Sequence, residues 1–433
     1  MDNRPKDIIL LQEHQPFVNP RGWGNGCDYS DKMEYLVGLG LTFEEPDFRK
    51  EPKYLGICNW AASYYIGAAW LVEKELAVVV TPKMKNIDFV EMFLAALKID
   101  TQKESNYFAK CYGIQFDEPS IETNEELNQL TPLLVLHFLF LLERLVKRGL
   151  KKGYVLHEEN LKAKVKGRIL FGKHLKTNVF QQRADRIYCQ YQEYTEDIPE
   201  NRLLKKALLF SERVISRCDS LKRQSEYPDI QSQLNKLKST FSHISDEIEL
   251  YQVQKISSNK LFKDYKEAMK VAKMILRRFD YSIREAGSEQ HSTPPFWIDM
   301  ARLYEMWVWE QLQKNSAYPV LFQEVGSYGR QVADFVIKEE KLILDAKYKP
   351  NYSNDNWVDI DDIRELSGNS RDERLLPNLP EDFSPRCIIL YPGGTNDLRP
   401  ESEVLFECQG QKIPHYRNFY KISVPLPNFE NRR

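Results

Sequence analysis

The segment Ala333-Asp334-Phe335-Val336-Ile337-Lys338-Glu339-Glu340-Lys341-Leu342-Ile343-Leu344-Asp345-Ala346-Lys347 decides how the C-terminal part of this 433-residue chain folds. Two apolar runs flank a charged tip, the pattern of an antiparallel hairpin. With Glu339-Glu340 at the tip, partners carry numbers that sum to 679, which sets Asp334 opposite Asp345. Their Cβ atoms are then expected ~5 Å apart. Alternation along a strand puts Ile343, Asp345 and Lys347 on one face. Other acid-x-lysine triplets lack this setting. Glu51-Pro52-Lys53 contains proline, Asp264-Tyr265-Lys266 lies in a polar helical pattern, and Glu339-Glu340-Lys341 is the turn. Only Asp345-Ala346-Lys347 closes an apolar strand, where two charges need a reason to exist.

A chemical reason follows from the pairing. Two carboxylates that close repel, and one takes a proton unless a cation stands between them. Oxygen ligands with open positions suit Mg²⁺ or Mn²⁺. Such an ion polarises a phosphodiester and lowers the pKa of a bound water, while Lys347 orients that water and offsets charge on the phosphate. Glu305, on the preceding helix, supplies a third acid. A salt-bridge cluster on a sheet edge satisfies the same spacing, so both readings stand at this level.

Outward from the hairpin, the helix is expected over Trp297–Lys314, strands near 319–325, 331–337 and 341–348, a second helix over ~358–370, and a buried strand at Cys387-Ile388-Ile389-Leu390-Tyr391. The run Ala286 to Pro295 (AGSEQHSTPP) reads as a linker. Residues 201–279 are mostly helical in pattern, broken near Tyr227-Pro228, as an arm or a bundle would be. An apolar helix runs from Thr131-Pro132 to Arg148, with Gly149 at its C-terminal cap. Residues 68–72 and 76–80 form a hairpin, and Phe89 to Leu97 has helical spacing. The expected fold is a multidomain α+β chain. It comprises a β-containing N-terminal domain (1–200), a helical region (201–285), a linker (286–295) and a C-terminal α/β domain (296–433).

Composition narrows the class. With 42% hydrophobic and 29% charged residues the chain is neither disordered nor collagen-like. No apolar run nears the ~20 residues of a membrane span, and the N-terminal stretch is too short and acidic for a secretory signal. A cytoplasmic protein with no membrane partner is expected. The seven cysteines are scattered without a Cys-x-x-Cys pair, which points to free thiols rather than disulfides or structural zinc. The net charge of −2 hides an asymmetry. Residues 141–190 carry thirteen bases against four acids, a candidate phosphate-facing surface. Within it, Lys162, Lys164 and Lys166 alternate as on one strand face, with Arg168 beside them. A solvated face balanced by the acidic 86–130 segment is the competing explanation. Gly167 to His174 (GRILFGKH) imitates a phosphate loop but has His174 where Ser or Thr must hold Mg²⁺. No nucleotide is therefore expected on this chain.

The order acid helix, Asp strand, Asp-x-Lys strand resembles the PD-(D/E)xK nuclease superfamily and, more narrowly, the McrC family. The stretches that carry the narrower likeness are Pro295 to Glu305 (PFWIDMARLYE), Lys166 to Ile169 (KGRI) and Tyr194 to Lys205 (YTEDIPENRLLK). Arg148-Gly149-Leu150 with Tyr154, and the strand ending at Pro82-Lys83, add to it. The likeness spans roughly residues 65–395. It departs where the family often has a Tyr-Gln pair, since this helix reads Asp362-Ile363-Arg364-Glu365-Leu366.

The resemblance implies a restriction-endonuclease-like C-terminal domain with Asp334, Asp345, Lys347 and Glu305 catalytic, and the three acids as metal ligands. It further implies a Mg²⁺-dependent DNA endonuclease subunit of a two-component McrBC-type system. The partner implied is a McrB-like, GTP-hydrolysing AAA+ hexameric ring that the N-terminal part docks on and stimulates. The substrate implied is double-stranded DNA with modified cytosine. A non-catalytic adaptor that activates the ring on a nuclease-like scaffold is the alternative.

Overall fold

Tyr65–Val72 and Leu76–Thr81 form the expected hairpin, turning at Lys74 with φ 61°. The computed structural model describes residues 7–18, 28–43, 51–84, 87–103, 107–115, 118–123, 130–217, 230–249, 263–284, 291–329, 331–354, 357–380, 383–393 and 410–427. The chain divides into two units, one made of Met1–Gln129 and Gly287–Arg433, the other of Leu130–Ala286.

The first unit holds two main sheets. One has five strands in the order Asp7–Gln12, Leu76–Thr81, Tyr65–Val72, Phe296–Asp299, Tyr112–Ile114. Leu76–Thr81 is buried along almost its whole length, which is why it reads as a continuous apolar run instead of an alternating one. The other sheet has six strands: Leu321–Val325, Val332–Ile337, Leu342–Ala346, Arg386–Gly393, Phe419–Pro425, Gln411–Lys412. Its first two pairings are antiparallel and the next two parallel, with Phe335, Val336, Ile337, Ile343 and Leu344 fully buried. Helix Met300–Asn315 joins the two sheets in sequence and packs on helix Phe89–Lys103.

The second unit is a helical bundle carrying a small sheet. Helix Leu130–Arg148 buries Leu133 to Leu136, Phe138, Leu139, Leu141 and Leu142, and ends at Gly149 with φ 93°. It packs on Pro199–Arg217, Ile230–Thr240 and Lys263–Arg284. The sheet pairs Gly153–Lys162 with Arg186–Thr195 over their full length and adds the short strand Arg168–Ile169. Short helical turns at Phe171–His174 and Leu175–Val179 follow, so the imitation phosphate loop is a strand and a helical turn.

Four expectations are corrected. The expected domain boundary at 200 falls inside Pro199–Arg217, whose apolar face packs on the helix before the sheet; 201–285 is thus part of a bundle beginning at 130. The break expected at Tyr227-Pro228 lies outside the described residues. Phe296–Asp299 is a strand, not the first turn of the helix, and it pairs with Tyr65–Val72 on one side and Tyr112–Ile114 on the other. Within the expected linker, His291–Thr293 pairs with Ile121–Thr123. A cut at 286–295 would therefore strip strands from the first unit, and 1–285 is no self-contained domain. Finally, Lys162, Lys164 and Lys166 do not share one strand face. The strand ends at Lys162, Ala163 has φ 54°, and the next strand begins at Arg168.

Candidate active site

The hairpin is built as its sequence dictates. Phe335 pairs with Leu344, Val336 with Ile343 and Ile337 with Leu342, a register whose numbers sum to 679 and whose next step sets Asp334 across from Asp345. Asp345 is 4% exposed, while Asp334 and Glu305 are half-buried. Asp334 Oδ2 accepts a hydrogen bond from the Ala346 N–H at 3.0 Å. Glu305 comes from helix Met300–Asn315, whose N-terminus is capped by Asp299 accepting from the Arg302 N–H at 3.0 Å.

Gln323, which was not among the expected site residues, ties this acid to the hairpin. It donates to Glu305 Oε1 and, at 3.5 Å, to Asp334 Oδ1. Its backbone sits at φ 54° in the middle of strand Leu321–Val325, a conformation that costs a non-glycine residue of order 1 kcal/mol or more. The regular pairing on either side of it, Phe322 with Phe335 and Glu324 with Ala333, fixes that twist in place. A glutamine inside an apolar strand, flanked by Phe322 and Glu324, was the signal available.

The electrostatics show carboxyls crowded beyond what their charges tolerate. Burial, then the Glu305 charge, pushes Asp334 up to about 8. Burial pushes Glu305 up to about 7 against the hydrogen bond from Gln323. Asp345 stands well above the usual carboxylate range through burial and the Asp334 charge. Lys347 Nζ lies 2.9 Å from Asp345 Oδ2 and 2.7 Å from Glu365 Oε2. Burial disfavours its charge, but these two carboxylates hold the ammonium above its ordinary range.

Helix Ile360–Asn369 contributes more than was foreseen. Glu365 meets Lys347, and Asp362, 5% exposed, takes Lys349 Nζ at 2.8 Å and the Tyr352 hydroxyl at 2.7 Å. Lys349 also reaches Asp359, the N-cap of this helix, at 2.7 Å. Glu365 stands in the stretch where the resemblance leads one to expect a Tyr-Gln pair, and it engages the lysine as a charge.

The donor set suits a hard divalent cation. Asp345 Oδ2 is buried without a hydrogen-bond partner, its contact with Lys347 being a charge contact out of hydrogen-bond alignment. Among the described residues no three His, Cys, Asp or Glu side chains already stand as a metal cage. The fit is therefore one of chemistry, all oxygen and partly unsatisfied, rather than of a closed coordination shell. Beside Glu305 and Gln323 lies a cavity of about 230 Å³, lined also by Tyr107, Phe322, Met306, Lys110 and Arg302.

The basic residues Lys162, Lys164, Lys166 and Arg168 belong to the second unit, are exposed, and form a group of their own. Lys166 Nζ lies 3.7 Å from Glu193 and 4.1 Å from the Tyr191 ring centroid. Acids on the same sheet thus balance part of the charge; Lys173 pairs with Glu158 in the same way. The described cysteines Cys58, Cys111, Cys189 and Cys387 are not in disulfides, and no described helix is long and apolar enough to cross a membrane.

No curated protein matches the chain. Among solved structures it is similar to McrC bound to McrB AAA+ hexamers of Thermococcus gammatolerans, at 16% identity, covering 98% of this chain and 96% of that one, with a TM-score of 0.40. A second structure, the McrBC complex of the same organism, gives 16% identity, 72% and 89% coverage, and a TM-score of 0.30. The family model described as McrBC 5-methylcytosine restriction system component matches residues 61–363, which is most of the chain and includes Glu305, Asp334, Asp345, Lys347 and the start of the helix that meets the lysine. The chain belongs to the McrBC 5-methylcytosine restriction system component family.

Proposed function

We propose that this chain is the nuclease subunit of a McrBC-type system, a Mg²⁺- or Mn²⁺-dependent DNA endonuclease with a PD-(D/E)xK-like C-terminal region. The observation that carries the proposal is the convergence of Glu305, Asp334, Asp345 and Lys347, held by Gln323 and Glu365. Asp334 and Asp345, with Glu305 facing them, would hold the ion. When bound, it supplies Lewis acidity and a water of lowered pKa. Without it the three carboxyls cannot all be charged at neutral pH, because burial and their mutual charges raise all three. Lys347 stays an ammonium at neutral pH because Asp345 and Glu365 flank it. Its part is therefore to donate to phosphate oxygens and offset their charge, not to act as a base.

The partner is read from the relatives. In the similar structures McrC is bound to McrB AAA+ hexamers, and we extend that assembly, and stimulation of GTP hydrolysis, to this chain. Tyr154, Phe171, Phe180 and Tyr194 of the second unit are exposed, and the Tyr154 and Tyr194 rings lie together 5.0 Å apart, apolar groups of the kind a partner covers. The substrate in this reading is double-stranded DNA with modified cytosine, in the cytoplasm.

The second reading, a non-catalytic activator of the ring, draws on one observation, that no three-ligand cage is preformed among the described residues. A plasmid nicking assay with the AAA+ partner, GTP and Mg²⁺ separates the two. Asp345→Ala and Lys347→Ala are expected to lower cleavage at least ~10²-fold, several kcal/mol of transition-state stabilisation, while circular dichroism shows a folded protein. Cleavage at the wild-type rate by either variant refutes the assignment.

A further inference from the structure

The geometry points to a nucleotide subsite. We propose that the cavity beside Glu305 receives one unstacked nucleotide of the DNA strand, the one adjoining the phosphate at the carboxylates. This deepens the nuclease reading and rests on it for the strand's identity as substrate.

Three kinds of group surround about 230 Å³. Two of the lining residues are cations: Lys110, exposed, and Arg302, whose Nη1 donates to the Lys110 carbonyl at 3.3 Å while its Nε lies 3.4 Å from Asp299. The walls are aromatic. The half-buried Tyr107 ring meets Phe322 edge-on at 5.4 Å, and Lys110 Nζ lies 5.9 Å from the Tyr107 centroid. The lining also includes the Glu305 carboxyl and the Gln323 amide, the two groups that also touch the Asp334 end of the site.

This combination selects its ligand. A free phosphate gains from the cations but meets the Glu305 carboxyl in the same cavity. A wholly apolar molecule would shut the Glu305 carboxyl and Gln323 amide off from water with little beyond each other and Asp334 as partners. A nucleotide offers a phosphate to the cations, a ring to the aromatic wall and polar base edges to the carboxyl and amide. The space admits a single base and not a base pair, so the nucleotide enters out of its stack. Bases flipped in this way are read by stacking and by hydrogen bonds to their edges.

The test uses the full-length chain and a short fluorescein-labelled oligothymidylate, by anisotropy in EDTA, where nothing is cut. Tyr107→Ala is expected to weaken binding on the order of tenfold without changing its salt dependence, because stacking releases no counterions. Tyr107→Phe retains the ring and should bind as wild type. Lys110→Gln, at an exposed position that folding tolerates, should lower the slope of log K against log salt by about 0.7, the value for one phosphate contact on a single strand. Absence of binding by the wild type overturns the subsite. So does equal affinity of Tyr107→Ala and Tyr107→Phe together with an unchanged slope for Lys110→Gln. The two readings fail separately. If the protein with its AAA+ partner cuts nothing and the Tyr107 and Lys110 pattern holds, the nuclease reading falls and the strand pocket stands. If it cuts and the pattern is missing, the pocket alone falls.

Discussion

Replacing Gly67 with alanine is expected to unravel the five-stranded sheet, and it tests the placement of Phe296–Asp299 directly. Gly67 lies opposite Trp297 in the register and has φ +137°, where a side chain is strained. A Cβ there would stand 2.1 Å from the Phe296 carbonyl oxygen and 3.2 Å from Trp297 Cα. Both neighbours are backbone, so nothing can swing aside. Overpacking of this kind costs about 1–3 kcal/mol. The unfavourable φ adds about 1 kcal/mol, for a loss near ~3 kcal/mol. The assay is specific because all seven tryptophans fall outside 130–286, so indole fluorescence in urea reports the first unit alone. With m of about 2–3 kcal/mol/M, the midpoint should drop by roughly 1 M. Gly38→Ala is the control. Gly38 ends helix Ser30–Gly38 with nothing within 4 Å of an added Cβ, so its midpoint should hold or rise slightly. A Gly67→Ala midpoint equal to wild type refutes the pairing of the strand 296–299 with 65–72.

Three further outcomes are expected. His137 is 3% exposed, and burial, with the Arg144 charge, pushes its imidazole down to about 3. The stability it allows is whole above pH ~6.5 and is lost as pH falls toward 3, about 2 kcal/mol by pH 5. His137→Leu should move the acid transition in far-ultraviolet circular dichroism to lower pH, and an unmoved transition refutes the burial argument. Asn201, fully buried, donates to the Lys151 and Glu196 carbonyls at 2.9 and 2.7 Å and accepts from the Tyr265 hydroxyl at 3.0 Å. Asn201→Ala removes three hydrogen bonds, while the Glu196 carbonyl keeps the Ile198 N–H and the Tyr265 hydroxyl keeps the Lys151 N–H, and it should cost about 1–3 kcal/mol in thermal unfolding; a loss below ~0.5 kcal/mol would contradict it. Changing Lys162, Lys164 and Lys166 to Gln should flatten the salt dependence of DNA binding by about two to three units of log K per log salt. An unchanged slope removes that turn from the DNA path.

The hairpin and its acids were legible because strand alternation has a period of two and a turn of known tip fixes every partner. Helical spacing put Glu305 on the right helix for the same reason. Phe296-Trp297-Ile298-Asp299 was misread because four buried residues in a row suit a strand or a helix equally. Its partners Tyr65–Val72 lie far away in sequence, where periodicity has nothing to say. Asp299, with its side chain capping the Arg302 N–H, was the local sign that the helix begins one residue later. Glu365 and Asp362 escaped notice since a charged helix face looks the same whether it meets water or Lys347 and Lys349. The basic turn was over-read as a strand because alternation of lysines alone does not show where pairing stops.

The pairing of position 67 with 297 has a consequence for birth at the ribosome. Synthesis is vectorial, so the edge of Tyr65–Val72 emerges 230 positions before its neighbour. At roughly 5–20 residues per second, that is on the order of 10 to 50 seconds during which this edge has no partner. The whole inserted bundle is translated within that interval and is free to complete its own fold. The nascent Tyr-Ile-Gly-Ala-Ala-Trp-Leu-Val edge is meanwhile open to pairing with any other extended chain. Holdase protection of this segment, or slower elongation in cool cultures, should decide the yield of native protein more than any property of the finished molecule.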